Sequence, residues 1–394
     1  MSRVPPIALL FFLGAAGAAA QDFGACVRAL RGEAIAHGIT AQTFDSTLAG
    51  VEFDQTVVDA MENQPEFTIP VWDYMSSLVD EQRIADGRER LAAQATVLSD
   101  IERRFGVDRH VVVAVWGVET DYGRRTGKRP IVRALTTASC HGGRQRFFRG
   151  ELFAALRIVQ DGDLPAEALT GSWAGAFGQT QFMPSTFHRS AVDFDGDGRR
   201  DIVGSVPDSL ASAANYLKNA GWASGEPWGY EVKLPAGYRG PSGRRDRRPL
   251  AEWNRLGVRK PDGAALASGK RAALLLPAGA EGPAFLVLRN FDAIYSYNAS
   301  VSYALSIAHL ADRLRGGGPF RAPWPTDDPG LSRAERHELQ ALLNKMGHAV
   351  GEANGIIGSR TRAAIRAFQE SAGLPVDGHA GQRALRALRA ATAP

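Results

Sequence analysis

Val111 to Val118 is an unbroken apolar run, and the residue that ends it is a carboxylate, Glu119, followed by Thr120, Asp121, Tyr122 and Gly123. An ionised Glu held in apolar surroundings is costly unless paired, so the neutral form of Glu119 is favoured. A carboxyl that keeps its proton near neutral pH is what a general acid needs. Taken alone, the run is more often the solvent end of a core segment carrying an ordinary surface Glu. Asp121 is the nearest candidate for a second carboxylate. Two residues along a helix it projects well away from Glu119, which suits a cap or an ion pair better than joint catalysis.

A second stretch, Gly171 to Ser185, mixes glycines, aromatics and amides in a way packing alone does not require. Small residues let a ligand approach the backbone, amides bond sugar hydroxyl and acetamido groups, and aromatic faces cover the apolar faces of sugars. A third, Asp193-Phe194-Asp195-Gly196-Asp197-Gly198-Arg199, places oxygen ligands at alternating positions with Gly at the sharp turn. This matches the first half of an EF-hand loop and suits a structural calcium ion on Asp193, Asp195, Asp197 and the backbone carbonyl of Arg199. The second half departs, because Gly204 stands where the motif has its bidentate Glu; Asp208 can close a longer loop. A solvated acidic turn is the alternative. No His/Glu cluster has the spacing of a catalytic metal site, so the chemistry calls for no cofactor.

The elements that must hold these residues are mostly helical. Thr40 and Thr43 can start a helix carrying Phe44 and Leu48, Asp80 precedes another, and Arg83 to Leu98 continues at helical intervals. The β-branched Val111 run suits a buried strand or a helix; Asp108 as N-cap and Gly123 after the run favour helix, with Glu119 in its last turn. There the negative end of the helix dipole also favours a protonated carboxyl. Between about 228 and 289, short β-prone runs (Tyr230–Leu234, Ala272–Leu276, Phe285–Leu288) separated by Gly and Pro predict a small antiparallel subdomain inserted in the helical core. Arg244 to Arg248 reads as a solvated loop.

At the start, residues 1–20 carry Arg3, an apolar Ile7–Leu13 run and a closing Ala-Ala-Ala, which fits a cleaved secretory signal better than a membrane span. No later run is long enough to cross a bilayer. The two cysteines, Cys26 and Cys140, can pair after export, and the sequence leaves the disulfide and two thiols equally open. Phe23-Gly24-Ala25-Cys26 faintly resembles a lipoprotein acylation site, but Asp22 interrupts its apolar run and Phe stands for Leu, which argues against lipid anchoring. The formal charge of +4 in 394 residues is compatible with an anionic polymer and too small to argue for nucleic acid. Glycines and prolines from 316 to 331 read as a linker. Beyond it, Leu339-Gln340, Gly347 and Gly355-Ile356-Ile357-Gly358 are echoed by Phe368-Gln369, Gly373 and Gly378-His379-Ala380-Gly381. His348 and His379 have no convincing metal partners.

Gly117-Val118-Glu119-Thr120, Gly171 to Gly178, Gln181 to Ser185, Ala214-Asn215-Tyr216-Leu217 with Gly221-Trp222, and Asn290-Phe291 with Tyr297-Asn298 resemble, in order and spacing, the B-type (MltB-like) membrane-bound lytic transglycosylases. The resemblance covers about Asp22 to Arg315. It implies a mainly α protein with a lysozyme-like helical catalytic core over 21–315, a periplasmic location and peptidoglycan glycan strands as substrate. It also implies cleavage of the MurNAc-β-1,4-GlcNAc bond with release of 1,6-anhydro-MurNAc ends. Glu119 falls on the family's acid, and Ser172, Gln181, Tyr216 and Tyr297 on its substrate contacts; closure of the acidic loop at Asp208 also has parallels among relatives. The tail, 332–390, resembles the three-helix peptidoglycan-binding domain of cell-wall hydrolases, with Asn354 in place of the first repeat's usual Asp. Wall-synthesis or remodelling proteins are then natural partners. A hydrolytic muramidase would share the sugar and the acid but need a second carboxylate to activate water. A noncatalytic wall-binding scaffold would lose nothing on Glu119→Gln.

Overall fold

The computed structural model of the chain describes residues 15–62, 69–267 and 269–393. Most of the leader read in 1–20 lies outside them; from Ala15 the chain is helical, in Ala15–Ala36. The architecture is mainly α, with a two-stranded and a four-stranded antiparallel sheet. Among the described residues no helix is long and apolar enough to cross a membrane. By contacts the chain forms two compact units, each assembled from two stretches: 1–64 with 126–208, and 65–125 with 209–394.

In the first unit, Thr40 caps the helix Ala41–Thr47 by accepting the N–H of Thr43, as its position before an apolar-periodic segment suggests. The helices Ile131–Cys140 and Gln145–Asp161 pack against each other. Cys140 ends one of them and is joined to Cys26, with Cα atoms 5.9 Å apart, which occupies the sulfur an acyl chain would need. Strands β1 (Arg129–Pro130) and β2 (Thr170–Gly171) pair Arg129 with Gly171.

The second unit is built around Arg109–Thr120, which packs on Glu81–Ala93 and Val301–Leu314. The Val111 run is a helix: Asp108 accepts the N–H of His110 at 2.8 Å, and Val111 to Val115 are buried on every side. Its C-terminal end differs from the sequence expectation. Asp121 itself takes the left-handed conformation (φ 55°), followed by Tyr122 (φ 59°), and Gly123 comes only after them. Two non-Gly residues there are uncommon and need outside support. Tyr122 has it: a Cβ on Gly117 would lie 2.7 Å from its ring, a Cβ on Gly87 2.4 Å from its hydroxyl, and that hydroxyl donates to the Arg83 carbonyl at 2.8 Å. The helix expected to continue from Arg83 to Leu98 is interrupted at Gln94, with Ala95–Phe105 beginning anew.

Strands β3 (Gly229–Val232), β4 (Arg247–Pro249), β5 (Arg271–Leu275) and β6 (Ala284–Val287) form the antiparallel sheet β3-β6-β5-β4, with Tyr230 opposite Leu286 and Leu275 opposite Phe285. The segment read as a solvated arginine loop supplies the edge strand β4. Its charges are consumed locally, because Arg244 and Arg247 both pair with Asp292 (2.9 and 2.5 Å).

At the C-terminus, Arg333–Lys345, Ser359–Ser371 and Gln382–Thr392 enclose a core of Leu339, Leu343, Ile365, Phe368, Leu385 and Leu388. The internal echo has a physical basis. Gln340 Oε1 accepts the N–H of Gly355, and Gln369 Oε1 that of Gly378. Asn354 and Asp377 each accept the N–H two residues on, so Asn serves where Asp was expected. The stretch 316–331 has no helix or strand, yet it packs: Phe320 stacks on His309 with ring centroids 3.9 Å apart, and Trp324 lies beside Trp72.

Candidate active site

Glu119 is half-buried in the last turn of Arg109–Thr120, less enclosed than the apolar run suggests. Its Oε1 accepts a hydrogen bond from the hydroxyl of Tyr303. Tyr303 lies in Val301–Leu314, the helix packed along the Glu119 helix, and is 2% exposed. Burial, followed by the neighbouring Glu119 charge, raises the Tyr303 pKa well above its ordinary value, so the phenol stays a donor. An aromatic at helical spacing reads as core, so the sequence does not single Tyr303 out. It is core, and it also reaches the carboxylate.

The tyrosines continue outward from this pair. Tyr297 lies with its ring 6.4 Å from that of Tyr303, nearly parallel, and Tyr216 meets Tyr297 edge-on at 4.7 Å. Tyr216 donates to the Ser296 carbonyl at 2.8 Å, which fixes its ring. Glu119, Tyr303, Tyr297 and Tyr216 therefore form one connected row in the second unit. Asp121 stands apart from it as a fully engaged ion-pair partner. It is buried, takes a two-pronged contact from Arg333 (2.7 Å to each oxygen), and has Arg124 at 3.2 Å and Arg83 at 3.6 Å. Asn290, in one of the motifs, is structural: its side chain bonds the backbone of Ala223 and Glu226.

Ser172 and Gln181 lie in the first unit, on the Gly-rich stretch. Ser172 Oγ accepts the N–H of Ala176 at 3.0 Å, bracing a turn in which Gly175 (φ 96°) leaves no room for a Cβ beside Leu135. Gln181, in a left-handed conformation (φ 50°), gives both amide protons to carbonyls, of Gly178 at 2.8 Å and Thr126 at 3.1 Å. Of the aromatics in that stretch, two are not available to a sugar. Phe177 and Phe182 are core residues bridged backbone to backbone, and only Trp173 of that group keeps some exposure.

Asp193, Asp195 and Asp197 bring one carboxylate oxygen each within 4.8 Å of one another. The Gly196 and Gly198 N–H groups wrap Asp193, and Asp197 accepts the N–H of Arg199. Such an all-oxygen set fits a hard divalent cation. Asp208, read as a further side-chain ligand, lies outside that group. It is wholly buried, and its oxygens take the N–H groups of Phe194 (2.7 Å), Asp195 (3.3 Å) and Asp201 (2.8 Å), so it closes the loop by hydrogen bonds. Burial raises its pKa even against those donors.

The family model of the transglycosylase SLT domain matches residues 22–312, and that of a peptidoglycan binding domain matches 332–388. The chain is 30% identical over 292 residues to membrane-bound lytic murein transglycosylase B of Escherichia coli (strain K12), covering 71% of this chain and 79% of that one. Among solved structures it is similar to SltB3 from Pseudomonas aeruginosa in complex with NAG-anhNAM-pentapeptide, at 50% identity and a TM-score of 0.76, over 94% of this chain and 100% of that one. It is also similar to Escherichia coli lytic transglycosylase Slt35 in complex with calcium, at 28% identity and a TM-score of 0.65, over 75% and 93%.

Proposed function

This chain belongs to the lytic transglycosylase family and acts on peptidoglycan, and we propose that Glu119 is its single general acid and base. The bond cleaved is MurNAc-β-1,4-GlcNAc, and the product carries a 1,6-anhydro-MurNAc end. The observation that carries this reading is the contrast between the two carboxylates of the Glu119 turn. Asp121 is bound by arginines, whereas Glu119 is held by a neutral phenol. A hydrolase needs a second carboxylate to activate water or attack the sugar. A transglycosylase takes its nucleophile from the substrate.

With Tyr303 bonded to Oε1, the proton to be delivered sits on Oε2. Glu119 gives it to the glycosidic oxygen as the C1–O bond breaks and the GlcNAc alcohol leaves. The resulting carboxylate then accepts the C6 hydroxyl proton as O6 bonds to C1. Glu119 ends protonated, ready for the next cycle, and no water enters the product. Tyr303 stays a donor throughout and holds the carboxylate plane in both steps. Tyr297 and Tyr216 offer ring faces and Tyr297 a hydroxyl to the sugars; Ser172 and the Oε1 of Gln181 offer polar contacts.

Mass spectrometry of muropeptides released from sacculi tests this: anhydro-MurNAc ends from wild type and none from Glu119→Gln are expected. Reducing ends from wild type would refute the single-residue mechanism. Export to the periplasm by the 1–20 leader fits a cell-wall substrate. A calcium ion on Asp193, Asp195, Asp197 and the Arg199 carbonyl would hold the loop and supply no step of the reaction. If it binds, millimolar calcium raises the melting temperature, EGTA reverses the rise, and Asp195→Asn abolishes it; an unmoved wild-type melt would rule the ion out.

A further inference from the structure

We infer that Arg333, in the first helix of the C-terminal module, is a positioning residue for Glu119, acting through Asp121; the inference rests on the assignment of Glu119 as the acid. Asp121 is the residue at which the Glu119 helix ends. It and Tyr122 are consecutive non-Gly residues in the left-handed region, so the turn does not hold its shape by local preference. What holds it is a set of contacts, and the module supplies the strongest.

Arg333 Nη1 and Nη2 reach the two Asp121 oxygens at 2.7 Å each, from 212 residues away in sequence. Arg83 and Arg124 approach the same carboxylate less closely, at 3.6 and 3.2 Å, and Arg124 is shared with Asp86. Asp121 and the Arg333 side chain are 5% and 12% exposed, so solvent screens the contact little. A planar two-pronged pair fixes direction as well as distance. The same turn is held again four residues on, where Arg125 donates to the Asn354 carbonyl of the module at 3.1 Å. Beside Arg333, Arg336 donates to the Ser77 carbonyl at 3.2 Å.

The module therefore reaches the turn immediately after Glu119 as well as any wall polymer it binds. Loss of Arg333 leaves Asp121 to two longer contacts and lets the turn relax, moving Glu119 off the line to the glycosidic oxygen. Misplacement on the ångström scale at a reacting group costs up to about 100-fold in rate.

The test uses full-length protein and a short soluble peptidoglycan oligosaccharide, so that wall anchoring does not enter the rate. Arg333→Ala is expected to lower kcat by about tenfold or more, with KM changed less than about twofold and sacculus pull-down retained. Arg333→Lys keeps the charge with a single prong and should recover part of kcat. Asp121→Asn should match Arg333→Ala, and the double variant should lose no more than either alone. Arg389→Ala, which removes an exposed ion pair to Glu338 elsewhere in the module, serves as the control. Wild-type kcat in Arg333→Ala, or in Arg333→Lys if the alanine variant fails to fold by circular dichroism, overturns the inference, as does a loss confined to KM or sacculus binding. An active Glu119→Gln would instead overturn the acid assignment.

Discussion

Tyr303 is one of the buried residues of Val301–Leu314, most of them Ala, Leu and Ile. Only its hydroxyl leaves that environment, to bond Glu119. Periodicity classifies side chains by where their bulk goes, so it reads a tyrosine at this position as core and says nothing of its polar end. Composition marked the Gly171–Ser185 stretch for its aromatics without separating core from surface, and Phe177 and Phe182 are core. Glu119 stood out as a candidate because a lone carboxylate ending an apolar run conflicts with packing. Tyr303→Phe preserves shape and removes a hydrogen bond that becomes charge-assisted, worth about 1.5–3 kcal/mol, only when Glu119 has given up its proton, so kcat should fall by about 10- to 100-fold while the melting temperature falls little. A full-rate Tyr303→Phe enzyme would show that the phenol only packs.

The helix that carries Tyr303 also carries His309, stacked under Phe320 of the Gly- and Pro-rich stretch. Burial first, then the Arg313 charge, lowers the imidazole pKa from 6.5 to about 4. The unfolded chain takes up this proton below about pH 6.5, while the folded chain refuses it until about pH 4. Stability from this residue is therefore complete above that window and is lost as pH falls through it, by roughly 3 kcal/mol in total. Urea titrations at about pH 7 and about pH 4.5 should show that loss in wild type and much less of it in His309→Phe. Equal losses in the two proteins would place the acid sensitivity elsewhere. At this scale the capping residues Thr40, Asp80 and Asp108 were readable because each accepts a backbone N–H from its own first turn. The left-handed Asp121 was not, because partners distant in sequence hold it, and the break at Gln94, whose backbone bonds are all local, carries no Gly or Pro to announce it.

Across the whole chain, composition marked where regular structure stops after Leu314 but said nothing of stiffness; aromatic stacking decides that, through Phe320 and Trp324. The cysteines were undecided for a similar reason, since pairing depends on a fold that brings residues 114 apart in sequence together. A loop that long gives its cross-link up to about 4–5 kcal/mol in the chain-entropy account, so reduction or Cys26→Ser should lower the melting temperature by several degrees or more. An unchanged melt would mean that the unfolded chain is already compact there. The loop so closed contains the entire 65–125 stretch, Glu119 included, which belongs to the other unit. Neither unit is a continuous piece of chain, and this dictates an order of assembly during synthesis. When residue 125 leaves the ribosome, neither unit is complete, and the apolar Val111 helix has yet to meet Val301–Leu314. No N-terminal fragment short of about residue 208 holds a finished unit, so about the first half of the chain emerges without a complete unit, in a state in which a polypeptide can still be threaded through a narrow pore.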